Sequence, residues 1–333
     1  MTDILDRREA PGSGAAPPPP GAGATPRTRA AWRQRLSRLD MKLTPYLLIA
    51  PFFLLFACFG LFPLVYNLVV SLRTWKLDDP TLDGWAGFAN FRRVFRDGDF
   101  LHALVNTFGM FIMSSVPQLI LALVLAGLLN RKLRAKTLLR MGILIPYVTS
   151  VAASTLVFGT VFARDTGLAN YALHFIGIGP IDWQAGRFSS WAAISVMVDW
   201  RWIGYNALIY LAAMQSVPRD LYEAAAIDGA GAVRQFFRIT IPMIRPAIVF
   251  TVVLSTIGGL QLFTEPLLFD SNPSSANGGS VSQFQTVSML IYKTGWKDLD
   301  LGYAAAMAWV LFLIIIVIAR VNGWLTTRVG RTR

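Results

Sequence analysis

The sequence is poor in charge, in cysteine and in histidine. Charged residues account for 15% of its 333 positions and hydrophobic residues for 54%, whereas an average soluble domain has about 25% charged residues. The single cysteine, Cys58, excludes a disulfide framework within the chain. The histidines are His102 and His174, and no HExxH motif or cluster of metal-ligating residues accompanies them. We therefore expect neither a metalloenzyme nor a metal bound by this chain.

Motifs for catalysis and phosphate binding are also missing. The sequence has no GxxxxGK[ST] phosphate-binding loop and no GxSxG nucleophile elbow, so we expect the chain itself not to hydrolyse ATP. The ionisable residues within apolar runs are Asp199, Arg201, Glu265 and Arg320. Local pairing, or extension of the side chain to the membrane surface, explains them more readily than catalysis. The sequence predicts a non-catalytic chain that binds no cofactor.

What the sequence has instead is apolar runs long enough to cross a membrane. A transmembrane helix needs about 20 mainly apolar residues to cross a hydrocarbon core of roughly 30 Å. The runs of this length lie at about residues 46–72, 104–129, 141–163, 189–215, 247–269 and 302–325. They predict an all-α integral membrane protein with six transmembrane helices.

Basic residues are unevenly placed along this chain, whose net charge is +12. They concentrate before the first run, between the second and third runs, in residues 216–246 and at the C-terminal end. With the N-terminus inside, most of them lie on the cytoplasmic side, as the positive-inside rule requires. We therefore predict cytoplasmic N- and C-termini and a cytoplasmic segment 216–246. Nucleic-acid binding is the weaker account, because the charge follows topology rather than a folded basic face.

Composition divides the chain into three parts. Residues 1–40 are rich in Pro, Gly and Ala and then basic, a composition that predicts a disordered cytoplasmic tail. Residues 41–328 are expected to form one transmembrane domain, and 329–333 a short C-terminal tail. In the segment between the first two runs, 73–103, aromatic residues recur at roughly helical spacing and predict short helices on the membrane surface.

Segment 216–246, which we call the 216–246 loop, reads SVPRDLYEAAAIDGAGAVRQFFRITIPMIRP. Ser216 is a plausible N-cap, and Gly229 predicts the end of the helix that follows. A second amphipathic piece comes next, closed by Pro242 and Pro246. The residues predict a rigid helix–turn–helix projection on the cytoplasmic face, a shape suited to insertion into a partner's groove.

One spacing pattern within this loop is specific: Glu-Ala-Ala, three residues, Gly, nine residues, then Ile, any residue, Leu and Pro. Its positions are occupied by Glu223, Ala224, Ala225, Gly229, Ile239 and Pro242, with Ile241 in place of Leu. The loop resembles the EAA loop of the inner-membrane permease subunits of binding-protein-dependent ABC importers. GFANFRRVF at 87–95 and QSVPRDLYEAAAIDGAGA at 215–232 resemble the carbohydrate, maltose-permease-like branch. The likeness covers about residues 44–328.

This resemblance implies the fold and the partners of a type I ABC importer in the bacterial inner (plasma) membrane. In that family two permease subunits form the translocation path, and two ATPase subunits beneath them bind ATP and Mg²⁺. An extracytoplasmic solute-binding protein delivers the substrate, and membrane lipid surrounds the helices. The residues expected to couple this chain to an ATPase are Glu223, Ala224, Ala225, Asp228, Gly229, Ile239 and Pro242.

The resemblance also implies a path for a sugar, because the spans before and after the EAA loop line it in this family. Sugars need aromatic faces for their apolar sides and amides or hydroxyls for their OH groups. The matching residues are Trp202, Tyr205, Asn206, Ser255, Gly259 and Gln261. The alternative for each is structural, such as close helix packing at Gly259 or a membrane-interface position for Trp202.

The expected function is half of the path of an ATP-driven importer for a disaccharide or short oligosaccharide. Permeases for monosaccharides, polyols and glycerol-phosphate share much of the pattern and stay as alternatives. An ion-driven secondary transporter is more remote, because it predicts paired carboxylates at mid-depth and interrupted helices in matched halves. A membrane enzyme or scaffold would concentrate titratable groups at one membrane depth, which the sequence does not do.

Overall fold

A computed structural model of the chain describes residues 44–79, 81, 83–131, 135–270 and 277–328. The tails predicted at 1–40 and 329–333 lie outside the described residues. The described residues divide into two compact units, one up to Leu64 and the other from Val65 onward. The side-chain interactions given below all belong to the second unit.

The described residues are predominantly helical, in agreement with the all-α prediction. The helices are α1 (Thr44–Ser71), α2 (Ala89–Val94), α3 (Gly98–Leu129), α4 (Lys136–Val148), α5 (Val151–Val161), α6 (Leu168–Phe175), α7 (Arg187–Gln215), α8 (Arg219–Ile227), α9 (Ala232–Met243), α10 (Arg245–Leu260), α11 (Thr264–Leu268), α12 (Val287–Tyr292) and α13 (Leu301–Arg328). Three π-helical segments lie within α1 at Ala57–Leu61, within α9 at Phe236–Thr240, and after α12 at Lys293–Lys297. Strands β1 (Arg73–Thr74) and β2 (Gly84–Trp85) form a two-residue antiparallel pair.

Among the described residues, three single helices are long and apolar enough to cross a membrane. They are α1, α3 and α13, and they confirm the predicted runs 46–72, 104–129 and 302–325. Two bent helix pairs, α4 with α5 and α9 with α10, raise the number to five if each pair is one span. Helix α7 has 29 residues, about 44 Å at 1.5 Å per residue. It has the length of a span, but its polar residues make it less apolar than the other three.

The predicted run 141–163 is wrong as a single helix. Helices α4 and α5 meet at an angle of 91°. Thr149 and Ser150 between them have ψ angles of 142° and 132°, which are extended rather than helical values. The hydrogen-bond ladder of α4 therefore ends where the amide of Thr149 donates to the carbonyl of Ile145, at 3.1 Å.

The predicted run 247–269 is wrong in its extent. Helix α10 ends at Leu260, the backbone leaves the helix at residues 261–263, and α11 follows as a separate short helix. Before this run, α9 and α10 meet at 71°, next to Pro246 in the first turn of α10. Irregular backbone at membrane depth is tolerated only where it is buried in protein or lines a cavity. We therefore expect the break at 261–263 to be buried in protein or to line a cavity.

Helix α7 packs closely against α3 and against α4, and a glycine makes each approach possible. A Cβ atom added at Gly109 of α3 would lie 2.1 Å from the ring of Trp191 on α7. A Cβ atom added at Gly204 of α7 would lie 1.7 Å from the carbonyl oxygen of Ile143 on α4. The helices approach closely because these positions have no side chain, as is common in membrane proteins.

Replacing Gly204 with alanine should destabilise the packing of α7 against α4, because the new methyl group meets backbone that has no rotamer to change. We expect the free energy of unfolding to fall by about 1–3 kcal/mol, the usual cost of overpacking a buried site. Gly142→Ala is the matched control, since nothing lies within 4 Å of a Cβ atom there. Thermal unfolding of the purified protein in detergent measures the difference, and equal midpoints for the two variants would contradict the close packing.

Candidate functional site

A cavity of about 180 Å³ lies where α3, α7 and α10 meet the backbone break. Its lining residues are Ser115 and Gln118 of α3, Val198, Arg201, Trp202 and Asn206 of α7, Leu254, Ser255, Gly258 and Gly259 of α10, and residues 261–265. This volume is well above the roughly 10–15 Å³ that one water molecule requires. It is below the 300–1,000 Å³ of a typical complete small-molecule site, so the described residues enclose a small site or part of a larger one.

Five of the six residues predicted for the sugar path line this cavity. They are Trp202, Asn206, Ser255, Gly259 and Gln261. The sixth, Tyr205, instead stacks on Tyr147 of α4, with ring centroids 4.6 Å apart. The ring of Trp202 packs edge-on against both tyrosines, at 5.3 Å and 5.7 Å. The structure thus brings the predicted residues together, and their contact with a sugar stays a prediction.

The two adjacent glycines of α10 have different surroundings. A Cβ atom at Gly259 would lie 2.8 Å from the ring of Phe111 and 3.1 Å from the hydroxyl of Ser115, both on α3. Gly259 therefore permits the close approach of α10 to α3, which is the structural alternative considered for it. Gly258 also lines the cavity, and nothing lies within 4 Å of its Cβ position, so a side chain there would meet open space.

An ion pair in the cavity wall joins α7 to α11. The Nη1 atom of Arg201 donates to Oε1 of Glu265 at 3.1 Å, and the two side chains are only 11% and 9% exposed. Local pairing is confirmed for these two residues. Asp199 makes no such contact: its Oδ1 atom is buried without a hydrogen-bond partner among the described residues.

Sequence reasoning missed several parts of the cavity. Ser115 and Gln118 of α3 line it, and the signal for Gln118 is an amide within a run that is otherwise apolar. The pairing of Arg201 with Glu265 joins residues 64 positions apart, a distance at which no helical periodicity operates. Two lining donors, Nε of Arg201 and Nδ2 of Asn206, are buried without a partner among the described residues.

The 216–246 loop folds as two helices, α8 and α9, joined by a glycine turn. Gly229 has φ +75°, a left-handed conformation that favours glycine, so its predicted role as a helix end is confirmed. The amide of Ala230 donates to the carbonyl of Ala225 at 2.8 Å and closes the turn. The N-cap expected at Ser216 is wrong, because Ser216 ends α7 and its hydroxyl donates to the carbonyl of Ala213. Pro218 occupies the N-cap position of α8.

Side-chain hydrogen bonds hold α8 against α9. The hydroxyls of Tyr222 and Thr240 lie 2.9 Å apart. The amide nitrogen of Gln235 donates to the carbonyl of Ala230 at 2.9 Å and, more weakly, to that of Tyr222 at 3.4 Å. The loop is also anchored inward, because the rings of Tyr222 and Phe236 pack on the buried cluster formed by α3 and α7. These contacts join the two helices into one helix–turn–helix unit, as predicted.

The outer side of this projection exposes apolar side chains. Ile227 at the end of α8 is 87% exposed, and Val233 and Phe237 on α9 are 70% and 61% exposed. Of the predicted coupling residues, Glu223, Ala224, Asp228, Gly229 and Pro242 are exposed, and Ala225 and Ile239 are half-buried. Ala225, Asp228 and Ile239 line a shallow depression between the two helices. Exposed apolar groups ringed by polar ones are typical of a protein-binding surface.

No metal site is evident within the described ranges, where no group of three or more histidine, cysteine, aspartate or glutamate residues is placed to hold an ion. His102 lies on α3, and His174 lies in the last turn of α6. The two histidines therefore belong to separate helices. The candidate site consists of the cavity and the 216–246 loop.

Replacing Tyr222 with phenylalanine should loosen α8, because the buried Thr240 loses its side-chain partner. We expect the free energy of local opening to fall by about 1–3 kcal/mol, the range for an unsatisfied buried polar group. Hydrogen exchange of a peptide covering α8 measures this opening. Tyr171→Phe is the control, because Tyr171 is largely exposed on α6. Unchanged exchange in α8 of the Tyr222→Phe protein would show that the hydroxyl pair does not hold the helix.

The amino-acid sequence is similar to a family of known proteins and to individual members of it. The family described as "Binding-protein-dependent transport system inner membrane component" matches residues 41–331. The chain is 36% identical to the arabinooligosaccharides transport system permease protein AraP of Halalkalibacterium halodurans, over 86% of this chain and 89% of that protein. It is 37% identical to the lactose transport system permease protein LacF of Rhizobium radiobacter, over 82% of this chain and 91% of that protein.

A solved structure shares the fold. A chain of the bacterial alginate ABC transporter, solved in complex with an alginate pentasaccharide-bound periplasmic protein, superposes with a TM-score of 0.73. The two chains are 20% identical, and the match covers 88% of this chain and 97% of the other. The arrangement of helices described above is therefore a known membrane-transporter fold.

Proposed function

Because the chain belongs to the family of inner-membrane components of binding-protein-dependent transport systems, we propose that it forms half of the translocation path of an ATP-driven carbohydrate importer. The observation that carries the proposal is the combination of an aromatic and polar cavity with a rigid, exposed EAA-type loop in one chain. The relatives for arabinooligosaccharides and lactose support a disaccharide or short oligosaccharide as the cargo. The chain itself is non-catalytic in this proposal.

The proposed topology has six spans and cytoplasmic termini in the bacterial inner membrane. Helices α1, α3, α7 and α13 are four of the spans, and the bent pair α4–α5 is the fifth. Helix α10 with the segment that follows its break is the sixth. Residues 1–40 and 329–333 are cytoplasmic tails of the domain 41–328. The concentration of basic residues before the first run and in the 216–246 loop supports this orientation.

The proposed partners follow from what each surface offers. The exposed tip around Ile227 docks in the groove of an ATPase subunit by the helix-in-groove mode, and that ATPase binds ATP and Mg²⁺. A second permease subunit completes the path, a second ATPase lies beneath it, and a solute-binding protein delivers the sugar from outside. Rigid-body movement of the loop with the ATPase then switches the path between inward- and outward-facing states. No nucleic acid takes part.

Gly229→Val is the sharpest test of the loop, because valine is strained at φ +75° and the turn must distort. Left-handed backbone costs about 1–2 kcal/mol for a residue with a Cβ atom, and we expect sugar uptake and co-purification of the ATPase to fall strongly. Gly231→Val is the matched control, since Gly231 has φ −67° and nothing lies within 4 Å of its Cβ position. Equal uptake and equal ATPase recovery in both variants would rule out the docking role.

Glu223→Lys changes the docking surface without straining the backbone. Glu223 is exposed, so the reversed charge alters the surface that meets the ATPase and leaves the fold intact. We expect uptake to be uncoupled from ATP hydrolysis, or the ATPase to be lost on purification. Asp220→Lys reverses a charge on the same helix and is the control. Normal coupling in the Glu223→Lys importer would count against this surface as the contact.

Filling the cavity should block the path. Gly258→Phe places a ring in open space at the cavity, and we expect sugar uptake to fall by about tenfold or more, which corresponds to 1.4 kcal/mol. Gly258→Ala adds one methyl group and should retain most uptake. Transport by cells that carry the complete importer measures both. Full uptake with phenylalanine present would show that sugar does not pass this cavity.

A further inference from the structure

The charge balance of the cavity indicates which class of saccharide it accepts. We propose that the cavity selects uncharged saccharides against acidic ones, and that Glu265 excludes anions by neutralising Arg201. This inference rests on the proposed function and specifies its cargo.

The charges at the cavity balance each other. Among the described lining residues, Arg201 and Glu265 alone carry a charge, one of each sign. The other lining side chains are amides, hydroxyls, apolar groups and one indole. The lining is therefore polar but has no net charge.

Arg201 and Glu265 form a close and buried ion pair. The guanidinium of Arg201 lies 3.1 Å from the carboxylate of Glu265, and both side chains are about nine-tenths buried. A buried charge is stable only beside its partner, because the low dielectric of the interior penalises an isolated ion. Because Glu265 already neutralises Arg201, a cargo carboxylate or phosphate would lose its hydration beside another carboxylate, in a cavity with no net positive charge to replace it. The pair therefore rejects an anion even though it contains an arginine.

The cavity lining also has groups that suit a neutral ligand. The Nδ2 atom of Asn206 has no partner among the described residues, and Asn206 is only 1% exposed. The amides of Gln118 and Gln261 and the hydroxyl of Ser255 also line the cavity. Hydroxyl oxygens accept from such donors without bringing a charge. The ring of Trp202 provides an apolar face for a sugar ring. These groups match a polyhydroxyl compound.

The test compares two probes that differ in one group. Lactitol ends in CH₂OH where lactobionate ends in COO⁻, and both are open-chain derivatives of lactose of equal length. Equilibrium dialysis of each radiolabelled probe against the full-length chain in lipid nanodiscs gives two dissociation constants. We expect the wild-type protein to bind lactitol at least about tenfold more tightly than lactobionate. Equal affinity, or tighter binding of lactobionate, would overturn the inference.

Glu265→Gln tests the role of the pair. It leaves the guanidinium of Arg201 without a counter-charge, and we expect the ratio of the two affinities to move toward lactobionate by about tenfold or more. Asp83→Asn is the matched control, since it breaks the exposed Arg73–Asp83 pair at 3.0 Å outside the cavity lining and should leave the ratio unchanged. An unchanged ratio in folded Glu265→Gln protein would overturn the inference.

A second variant serves if Glu265→Gln does not fold. Arg201→Met/Glu265→Gln has no buried charge in this wall, and it should still prefer lactitol. Acceptance of lactobionate by this double variant would overturn the inference. Failure of the inference is distinct from failure of the proposed function: equal binding of both probes leaves a saccharide permease standing. Absence of binding to lactitol, lactose and cellobiose alike would overturn the inference, whereas the proposed function fails only if cells that carry the complete importer take up none of these sugars.

Discussion

The buried guanidinium of Arg201 is stable only beside a carboxylate, and this requirement connects the main features of the second unit. Arg201 lies on α7, which packs between α3 and α4, and Glu265 lies beyond the break that ends α10. Their ion pair holds the short helix α11 to the bundle at the point where the helical hydrogen bonds stop. The irregular backbone at 261–263 lines the cavity, which is one of the places where non-helical backbone is tolerated in membrane proteins.

Small residues set the distances on which this arrangement depends. Without glycine at 109 and 204, α7 could not approach α3 and α4 closely, and without glycine at 259, α10 could not approach α3. The same residue type serves a different end at Gly229, where a left-handed backbone turns α8 into α9. Glycine therefore acts here through absent volume in the membrane bundle and through backbone conformation in the 216–246 loop.

The sequence predicts the membrane class, the long spans and the position of the glycine turn, because apolar runs and φ-permissive residues leave local signals. It does not predict the 91° bend after Val148 or the end of α10 at Leu260. Hydropathy shows which residues avoid water. It does not distinguish a bent apolar segment from a straight one, because both keep their side chains away from water equally well. The family resemblance and the chemistry of sugar binding predict Trp202, Asn206, Ser255 and Gly259 on two helices, and these residues line the cavity. Its third wall, with Gln118, and the partner of Arg201 come from elsewhere in the chain and appear only in three dimensions.

The exposed apolar tip of the 216–246 loop has a consequence for how the cell makes this protein. Under the proposed topology, Ile227 and Phe237 face water until another subunit covers them. A chain synthesised in excess of its partners would keep this apolar surface exposed, and exposed apolar surface promotes aggregation and degradation by proteases. Matched dosage of the subunits is therefore a requirement that this surface places on expression.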